Sequence, residues 1–275
     1  MEKAIFIDLD GTLLTDDKEI STGNIEAINK AKSFGYEIVI CTARALNRAE
    51  KFFKLLDCNY IIYANGNIFD CKKKKPIYEN IIPTNEILKV YKIVDHDSVY
   101  VLFISGNTRY INKKPPFEDR LLTNQGQTTK DIFIEESIES FLTKNNVVQI
   151  LVLSQEYETM KNIKDVIKKM SKIKIVGQSR ALTDTSYPVE PVTSIDVTNK
   201  NAGKGRGVKE FCKIFNIAKK NRIAIGDDFS DFPMFEACGY KVAMENSLTE
   251  LKDIADHITD DNNSDGVAKF IEIIL

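Results

Sequence analysis

The first third of the chain alternates short apolar runs with stretches of helical periodicity. Ile25, Ile28 and Ala31 recur at the spacing of one helix face, and Arg44–Leu56 has the pattern of a second helix. Strands and helices that alternate in this way predict a parallel α/β sheet with right-handed crossovers. Three apolar runs are the predicted strands of that sheet: Ala4–Asp8, Tyr36–Cys41 and Tyr60–Tyr63.

The pattern changes near residue 83 and changes back near residue 190. Strand-like runs predominate between these points, among them Val99–Ile104, Val147–Leu153 and Ile173–Val176. This change of character predicts an α+β domain that is inserted into the first domain. The predicted boundaries are residues 83–190 for the inserted domain and residues 1–82 and 191–275 for the first domain.

The pattern of the first domain resumes after the insert. Val208, Phe211 and Cys212 fall on one face of a predicted helix. Arg222–Ile225 and Lys241–Met244 then predict two further buried strands. The expected fold class is therefore α/β, with a Rossmann-like parallel sheet and an inserted α+β domain.

Composition and charge narrow the class of protein. With 28% charged residues and a formal net charge of −2, the chain resembles a soluble globular protein without a large basic surface for nucleic acid. The N-terminus does not read as a signal peptide, and no window has the apolar length of a membrane span. Five dispersed cysteines argue against a zinc site or a disulfide framework and favour a cytoplasmic location. We expect neither a nucleic-acid partner nor a membrane partner.

Two acidic motifs directly follow predicted strands. The first contains Asp8, Asp10 and Gly11, and the second contains Asp227 and Asp231. The carboxyl ends of parallel strands share one edge of a sheet, where open α/β folds bind ligands. Clustered carboxylates need a cation, and oxygen ligands without His or Cys favour Mg²⁺. Taken singly, the first motif is also compatible with a loop cap or a calcium-type turn, and the second is compatible with an acidic turn that caps a helix.

Phosphoryl transfer accounts for these acids together with two motifs between them. A carboxylate can attack phosphorus and form an aspartyl-phosphate, while a second carboxylate protonates the leaving oxygen and later deprotonates water. Thr42 and Lys204 supply a hydroxyl and an ammonium group suited to a transferring phosphoryl group. Lys200 is a nearby alternative to Lys204.

The order of these motifs resembles the haloacid dehalogenase superfamily, and most closely its Cof-type subclass IIB phosphatases. The resemblance covers essentially the whole chain, including the insert, which would be the cap domain that closes over the active site and sets specificity. It implies Mg²⁺-dependent hydrolysis of a small phosphorylated metabolite, with sugar phosphates as the default substrate class. The matching motifs are Asp8-Leu-Asp10-Gly11-Thr12-Leu13-Leu14, Thr42-Ala43-Arg44, Asn65-Gly66, Lys204-Gly205 and Gly226-Asp227-Asp228-Phe229-Ser230-Asp231.

The resemblance also implies a role for each matched residue. Asp8 would be the nucleophile and a metal ligand, and Asp10 would be the general acid/base, with its backbone carbonyl on the metal. Asp227 would bind the metal through its side chain, and Asp231 would bind or orient it. Lys204 would hold and screen the phosphoryl group beside Asp8. The residues expected to bind substrate are Gly11, Thr42, Ala43, Arg44, Asn65, Lys204 and Asn246, with Thr42 on the phosphoryl group.

One position departs from the family pattern, and three other functions share part of the chemistry. Ser230 stands where the family commonly has asparagine, so only a short hydroxyl is present for a phosphate contact. A phosphomutase of the same superfamily would use the same core residues with a second substrate as acceptor. A receiver-like signalling protein or a catalytically inactive phosphate-binding protein is the remaining alternative. The sequence does not predict an oligomeric state.

Overall fold

The chain folds into two structural units, each with its own sheet and its own apolar core. The first unit consists of three segments, Met1–Arg44, Ala49–Glu79 and Ala202–Leu275. The second unit consists of Ala45–Arg48 and Asn80–Asn201. The computed structural model describes residues 1–106, 108–113, 132–133, 137–181 and 191–275.

The described residues contain strands and helices throughout the chain. The strands are β1 (Lys3–Ile7), β2 (Tyr36–Cys41), β3 (Tyr60–Tyr63), β4 (Asn67–Asp70), β5 (Lys75–Tyr78), β6 (Tyr100–Ser105), β7 (Thr108–Ile111), β8 (Ile132–Phe133), β9 (Gln149–Ser154), β10 (Ile173–Ala181), β11 (Val192–Asn199), β12 (Arg222–Gly226), β13 (Tyr240–Met244) and β14 (His257–Thr259). The α-helices are α1 (Thr22–Ser33), α2 (Leu46–Leu55), α3 (Thr84–Ile93), α4 (Ile138–Lys144), α5 (Tyr157–Lys168), α6 (Lys204–Ile214), α7 (Phe232–Ala237), α8 (Thr249–Lys252) and α9 (Gly266–Ile274). Two short 3₁₀ helices span Lys219–Asn221 and Phe229–Asp231. Within the described residues, none of the helices has the length and apolar character needed to cross a membrane.

The sheet of the first unit confirms the predicted parallel architecture. Its strands lie in the order β14-β13-β12-β1-β2-β3-β4-β5. Every neighbouring pair from β14 to β3 is parallel, whereas β4 and β5 are added antiparallel at one edge. The strand β1 lies inside the sheet, and its residues from Ala4 to Ile7 are fully buried. This burial explains why β1 is a continuous apolar run with no alternating polar positions.

The register of the central strands brings the two acidic motifs to the same edge. Ile7 at the end of β1 pairs with Ile225 of β12 on one side and with Ile40 of β2 on the other. The next residue, Asp8, donates its backbone N–H to the carbonyl of Ile225 at 3.0 Å. Because all three strands run in the same direction, the loops after them share the carboxyl edge of the sheet. Asp227, which follows β12, therefore lies beside the loop that begins at Asp8.

Helix α6 anchors one face of this sheet. Its buried residues include Val208, Phe211 and Cys212, as the helical spacing predicts. The ring of Phe211 contacts that of Phe6 edge to face, with ring centroids 5.7 Å apart. Apolar burial and aromatic contact thereby hold the start of α6, with Lys204 as its first residue, over the central strands.

In the part of the second unit that the structure describes, six strands form one sheet with helices on one face. The described strands lie in the order β10-β11-β9-β6-β7-β8, and all neighbours are antiparallel except β7 and β8. The side chains of Phe103, Val152 and Ile195 lie in one buried cluster with residues of α3, α4 and α5. A second, smaller apolar cluster contains Leu102 and Ile104, which alternate with the residues of the first cluster along β6. Each face of the sheet therefore has its own buried apolar cluster.

One predicted boundary is wrong by a strand. We expected the first domain to resume at residue 191, but Val192–Asn199 is strand β11, which pairs with β9 and β10 of the second unit. Asn80–Asn201 accordingly forms the second unit, and the first unit resumes at Ala202. The physical reason is the sequence of β11, in which polar residues stand between the apolar ones. This strand therefore lacks the continuous apolar run by which the other strands were predicted.

Candidate active site

A buried ion-pair network lies at the carboxyl edge of the first unit's sheet. Lys204, the first residue of α6, donates from its Nζ to Oδ1 of Asp8 and to Oδ1 of Asp231, both at 2.7 Å. The three residues are 3%, 5% and 0% exposed, respectively. Burial alone would lower the pKa of Lys204, but the two neighbouring carboxylates raise it above its usual value. The lysine is therefore held as a cation between two acids.

The second acidic motif is held in place by its own backbone and by a hydroxyl. The Oδ2 atom of Asp231 accepts the backbone N–H groups of Asp227 at 3.0 Å and of Asp228 at 3.1 Å. The Oδ1 atom of Asp227 accepts the hydroxyl of Thr12 at 2.7 Å. Thr12 was not among the predicted site residues, and no local spacing could have indicated it, since its partner is distant in the sequence. These hydrogen bonds hold both ends of the Gly226–Asp231 turn in place at the site.

Three carboxylates converge at this point, as the sequence predicts. Asp8, Asp227 and Asp231 each offer a potential ligand atom, and these atoms lie within 4.8 Å of one another. Burial raises the pKa of Asp8 well above its usual value, although Lys204 opposes that shift. Burial also raises the pKa of Asp227 to about 6. The negative charge of the cluster exceeds the single charge of Lys204, and the donors are all oxygen, so the residues fit a hard divalent cation such as Mg²⁺.

Asp10 makes a separate ion pair with Arg44. The Nε and Nη2 atoms of Arg44 donate to the two carboxylate oxygens of Asp10 at 2.7 and 2.6 Å. Lys18 lies 3.4 Å from the same carboxylate. Burial acts to raise the pKa of Asp10, but the hydrogen bonds and charge of Arg44, together with Lys18, lower it overall. We expected Arg44 to bind substrate, whereas in this structure its guanidinium group is engaged by Asp10.

The remaining predicted residues lie in the same loops. Thr42 is buried at the end of β2, where its hydroxyl accepts the backbone N–H of Arg44 at 3.1 Å. The backbone N–H of Asn65 donates to the carbonyl of Thr42 at 3.3 Å, and Asn65 has a positive φ of 58°. The side chain of Asn246 donates to the carbonyl of Gly11 at 2.7 Å, so it braces the loop that carries Asp10.

Three further sequence predictions concern residues at the surface of the chain. Ala43 is exposed next to Thr42, and Ser230 is exposed in the short helix Phe229–Asp231. Lys200, the alternative to Lys204, is also exposed and belongs to the second unit. The geometry therefore favours Lys204 over Lys200 as the lysine of the acidic cluster.

A substitution at Gly11 tests whether activity depends on the position of the Asp227 carboxylate. Its φ is +83°, and a Cβ at this position would lie 2.3 Å from Oδ2 of Asp227. We expect Gly11→Ala to displace the Asp227 carboxylate and to lower activity by about 10²-fold, because small displacements of a catalytic group are costly. The measurement is the rate of phosphate release from p-nitrophenyl phosphate over a range of Mg²⁺ concentrations.

Gly35 is the matched control for this substitution. Its φ is also +83°, but a Cβ there would have no heavy atom within 4 Å. Gly35→Ala should therefore cost about 1 kcal/mol of stability through backbone strain alone, with little change in activity. Equal loss of activity in both variants would show that strain, and not the contact with Asp227, is responsible.

Comparison with known proteins identifies the family of the chain. A family model described as haloacid dehalogenase-like hydrolase matches residues 5–271. The chain therefore belongs to the haloacid dehalogenase-like hydrolases, and the predicted membership is confirmed. It is 29% identical to the 5-amino-6-(5-phospho-D-ribitylamino)uracil phosphatase YwtE of Bacillus subtilis, across 99% of this chain and 98% of that protein. The name of this relative agrees with the predicted enzyme class, a phosphoric monoester hydrolase.

Solved structures confirm the fold. A haloacid dehalogenase-like hydrolase from Bacteroides thetaiotaomicron superposes with a TM-score of 0.81 at 23% identity, and the match covers 100% of both chains. A protein described as a subclass IIB sugar phosphatase of the same superfamily superposes with a TM-score of 0.74 at 22% identity. That match covers 99% of this chain and 98% of the other. The same architecture, with a parallel-sheet core and a cap domain, therefore describes this chain.

Proposed function

We propose that this chain is a Mg²⁺-dependent phosphatase that hydrolyses a small phosphorylated metabolite through an aspartyl-phosphate on Asp8. The observation that carries the proposal is the buried network of Asp8, Lys204 and Asp231 beside Asp227. A nucleophilic carboxylate, a fixed ammonium group and two further acids are the parts that phosphoryl transfer from a monoester requires. Mg²⁺ held by Asp8, Asp227 and Asp231 would supply charge neutralisation for the phosphoryl oxygens.

In the first step a carboxylate oxygen of Asp8 attacks phosphorus. The new bond joins this oxygen to phosphorus, and the bond between phosphorus and the leaving oxygen breaks. Lys204 lies 2.7 Å from Asp8 Oδ1, so its positive charge is beside the transferring group as negative charge develops. Asp10 gives its proton to the leaving oxygen, which departs as a neutral alcohol.

In the second step water replaces Asp8 on phosphorus. Asp10, now a carboxylate, takes a proton from the attacking water, and the bond between phosphorus and Asp8 breaks to release inorganic phosphate. The ion pair with Arg44 favours this carboxylate form of Asp10. The arrangement thus suits the base role of Asp10, and its acid role requires that Arg44 release the carboxyl group first.

The names of two similar proteins support a proposal for the substrate class. The Bacillus relative is named for a phosphorylated ribitylamino-pyrimidine, and the subclass IIB protein is described as a sugar phosphatase. Both names refer to a phosphate ester on a small polar molecule. We propose a substrate of this kind, with water as the acceptor. A phosphomutase would instead need a second substrate hydroxyl, and it would not release phosphate steadily.

Removal of the metal tests this proposal directly. We expect the purified chain to release phosphate from p-nitrophenyl phosphate in Mg²⁺, to lose this activity in excess EDTA and to regain it when Mg²⁺ is restored. The reason is that the buried carboxylate of Asp8 and the half-buried carboxylate of Asp227 would otherwise repel an incoming phosphate. Circular dichroism should show that the fold persists in EDTA. If turnover in EDTA equals turnover in Mg²⁺, the mechanism does not depend on a metal. If no phosphate is released in Mg²⁺, the proposal that the chain is a phosphatase is wrong.

A further inference from the structure

A short segment after β13 contacts both of the loops that carry the acidic motifs. It consists of Asn246, Ser247 and Leu248, and we call it the bridging segment. From the sequence we expected Asn246 to bind substrate, whereas in the structure the segment donates hydrogen bonds to backbone carbonyl groups. The segment and both loops belong to the first unit.

The first contact of the bridging segment is with the loop after β1. The backbone N–H of Leu14 donates to the carbonyl of Leu9 at 2.8 Å and so closes this loop. Between these two residues, the carbonyl of Gly11 accepts the side-chain Nδ2 of Asn246 at 2.7 Å. Because Gly11 directly follows Asp10, this hydrogen bond fixes the backbone next to the proposed acid/base.

The other two residues of the bridging segment contact the loop after β12. The hydroxyl of Ser247 donates to the carbonyl of Gly226 at 3.2 Å. The backbone N–H of Leu248 donates to the carbonyl of Asp227 at 3.1 Å. Three consecutive residues thus hold carbonyl groups of two separate loops.

Asn262 holds the side chain of Asn246 in its orientation. The backbone N–H of Asn262 donates to Oδ1 of Asn246 at 3.1 Å, and its side-chain Nδ2 donates to the carbonyl of Leu14 at 2.9 Å. Asn262 is itself buried. Because Oδ1 of Asn246 accepts this hydrogen bond, the N–H groups of the same amide are directed toward Gly11.

The proposed reaction requires that the two loops keep a fixed separation. Asp8 and Asp227 belong to different loops, and their potential ligand atoms lie within 4.8 Å of each other. Carboxylates at this distance repel each other, so contacts between the loops are needed to hold them. The hydroxyl of Thr12, which donates to Oδ1 of Asp227 at 2.7 Å, is one such contact. The bridging segment is a second one.

We propose that the bridging segment is a positioning element that sets the distance between the loop of Asp8 and the loop of Asp227. This inference rests on the proposed phosphatase function, and it adds residues on which that function depends. Asn246 is then a positioning residue, which acts through Gly11 and does not bind substrate. Its loss slows the turnover of different esters by the same factor and weakens Mg²⁺ binding, because both depend on the distance between the two loops.

The experiment compares Asn246→Ala with the wild-type chain. Alanine removes the donor to Gly11 at an exposed position, so the fold should persist. We expect kcat to fall about 10-fold for both p-nitrophenyl phosphate and D-glucose 6-phosphate, with KM unchanged. The Mg²⁺ concentration that gives half of the maximal stabilisation against urea should rise about 10-fold, and this measurement needs no substrate. Ser247→Ala removes the longer hydrogen bond and should cause smaller changes in the same directions.

Asn221→Ala is the matched control. The Nδ2 atom of Asn221 also donates to a backbone carbonyl, that of Glu2, at 3.0 Å. Asn221 directly precedes β12, at the opposite end of that strand from Asp227. This variant loses a hydrogen bond of the same kind, so its unfolding free energy in EDTA should match that of Asn246→Ala. It should keep the wild-type kcat, KM and response to Mg²⁺.

Three results would overturn the proposal, and a fourth concerns the function on which it rests. If Asn246→Ala raises KM, or affects the two esters to different extents, Asn246 binds substrate. If Asn246→Ala and Asn221→Ala lose the same activity, the hydrogen bond to Gly11 has only a structural role. If the Mg²⁺ concentration for half-maximal stabilisation is unchanged in Asn246→Ala, the bridging segment does not set the distance between the loops. If the wild-type chain hydrolyses neither ester, the proposed function has failed, and the Mg²⁺ measurement still tests the bridging segment separately.

Discussion

Replacement of Asp8 by asparagine is expected to lower the rate of phosphate release by about 10⁴-fold or more. The amide oxygen of asparagine is a poor nucleophile, whereas the Asp8 carboxylate is the group that attacks phosphorus in the proposed reaction. The two side chains have nearly the same shape, and an oxygen remains available to accept from Lys204, as Asp8 does at 2.7 Å. The loss should therefore appear in turnover of p-nitrophenyl phosphate while the circular dichroism spectrum is unchanged.

Asp228→Asn is the matched control for this variant. Asp228 also follows β12 at the carboxyl edge, but it is exposed and its side chain accepts the backbone N–H of Phe229 at 2.7 Å. Asparagine caps helices as well as aspartate does, so most of the activity should remain. In the wild-type chain, an acid quench during turnover should trap phosphate on Asp8, which mass spectrometry can locate. Activity in Asp8→Asn, or phosphate trapped on another residue, would refute the nucleophile assignment.

Replacement of Lys204 by methionine should affect stability and activity together. Lys204 is 3% exposed and lies between Asp8 and Asp231, so its removal leaves two buried carboxylates without their cation. Breaking a buried ion pair in this way costs about 3–5 kcal/mol. Loss of the ammonium group beside the transferring phosphate should also lower kcat by about 10²–10³-fold. Urea unfolding with and without Mg²⁺ measures the loss of unfolding free energy, and steady-state kinetics measures the loss of kcat.

Added Mg²⁺ separates the effect of Lys204→Met on stability from its effect on activity. A bound cation neutralises part of the charge left by Lys204→Met, so the stability deficit should be smaller in Mg²⁺ than in EDTA. The activity deficit should persist, since the metal does not replace the ammonium group at its position. Lys200→Met, at an exposed lysine of the second unit, should change neither quantity. A Lys204→Met variant with wild-type stability in EDTA would show that the ion pairs do not stabilise the fold.

Much of the first unit could be predicted because its central strands are buried on both faces. The run Ala4–Asp8 is apolar up to its final acid, and in the structure the strand ends at Ile7. The acids could be predicted to meet at one edge of the sheet, because the residues that follow neighbouring parallel strands lie close together. Asp8, Asp227 and Asp231 therefore form the predicted cluster, and Lys204 lies among them.

Other features depend on information that a linear pattern does not contain. Strand β11 (Val192–Asn199) mixes apolar and polar residues, among them Asp196 and Thr198, and so it lacks a continuous apolar run. Strand β14 has only three residues, too few for any periodicity to be recognised. The pairing of Arg44 with Asp10 and of Thr12 with Asp227 depends on how separate loops approach each other in the folded chain. Motif spacing can indicate the reaction, but it cannot assign partners to individual side chains.

The position of β1 inside the sheet has a consequence for synthesis of the chain on the ribosome. One neighbour of β1, strand β2, emerges soon after it, but the other neighbour is β12 (Arg222–Gly226), which is made only after the whole second unit. Until then the apolar strand Lys3–Ile7 has an open hydrogen-bonding edge, which is a template for pairing with other chains. Nascent chains that stop before β12 should therefore aggregate or recruit chaperones, whereas full-length chains close this edge themselves.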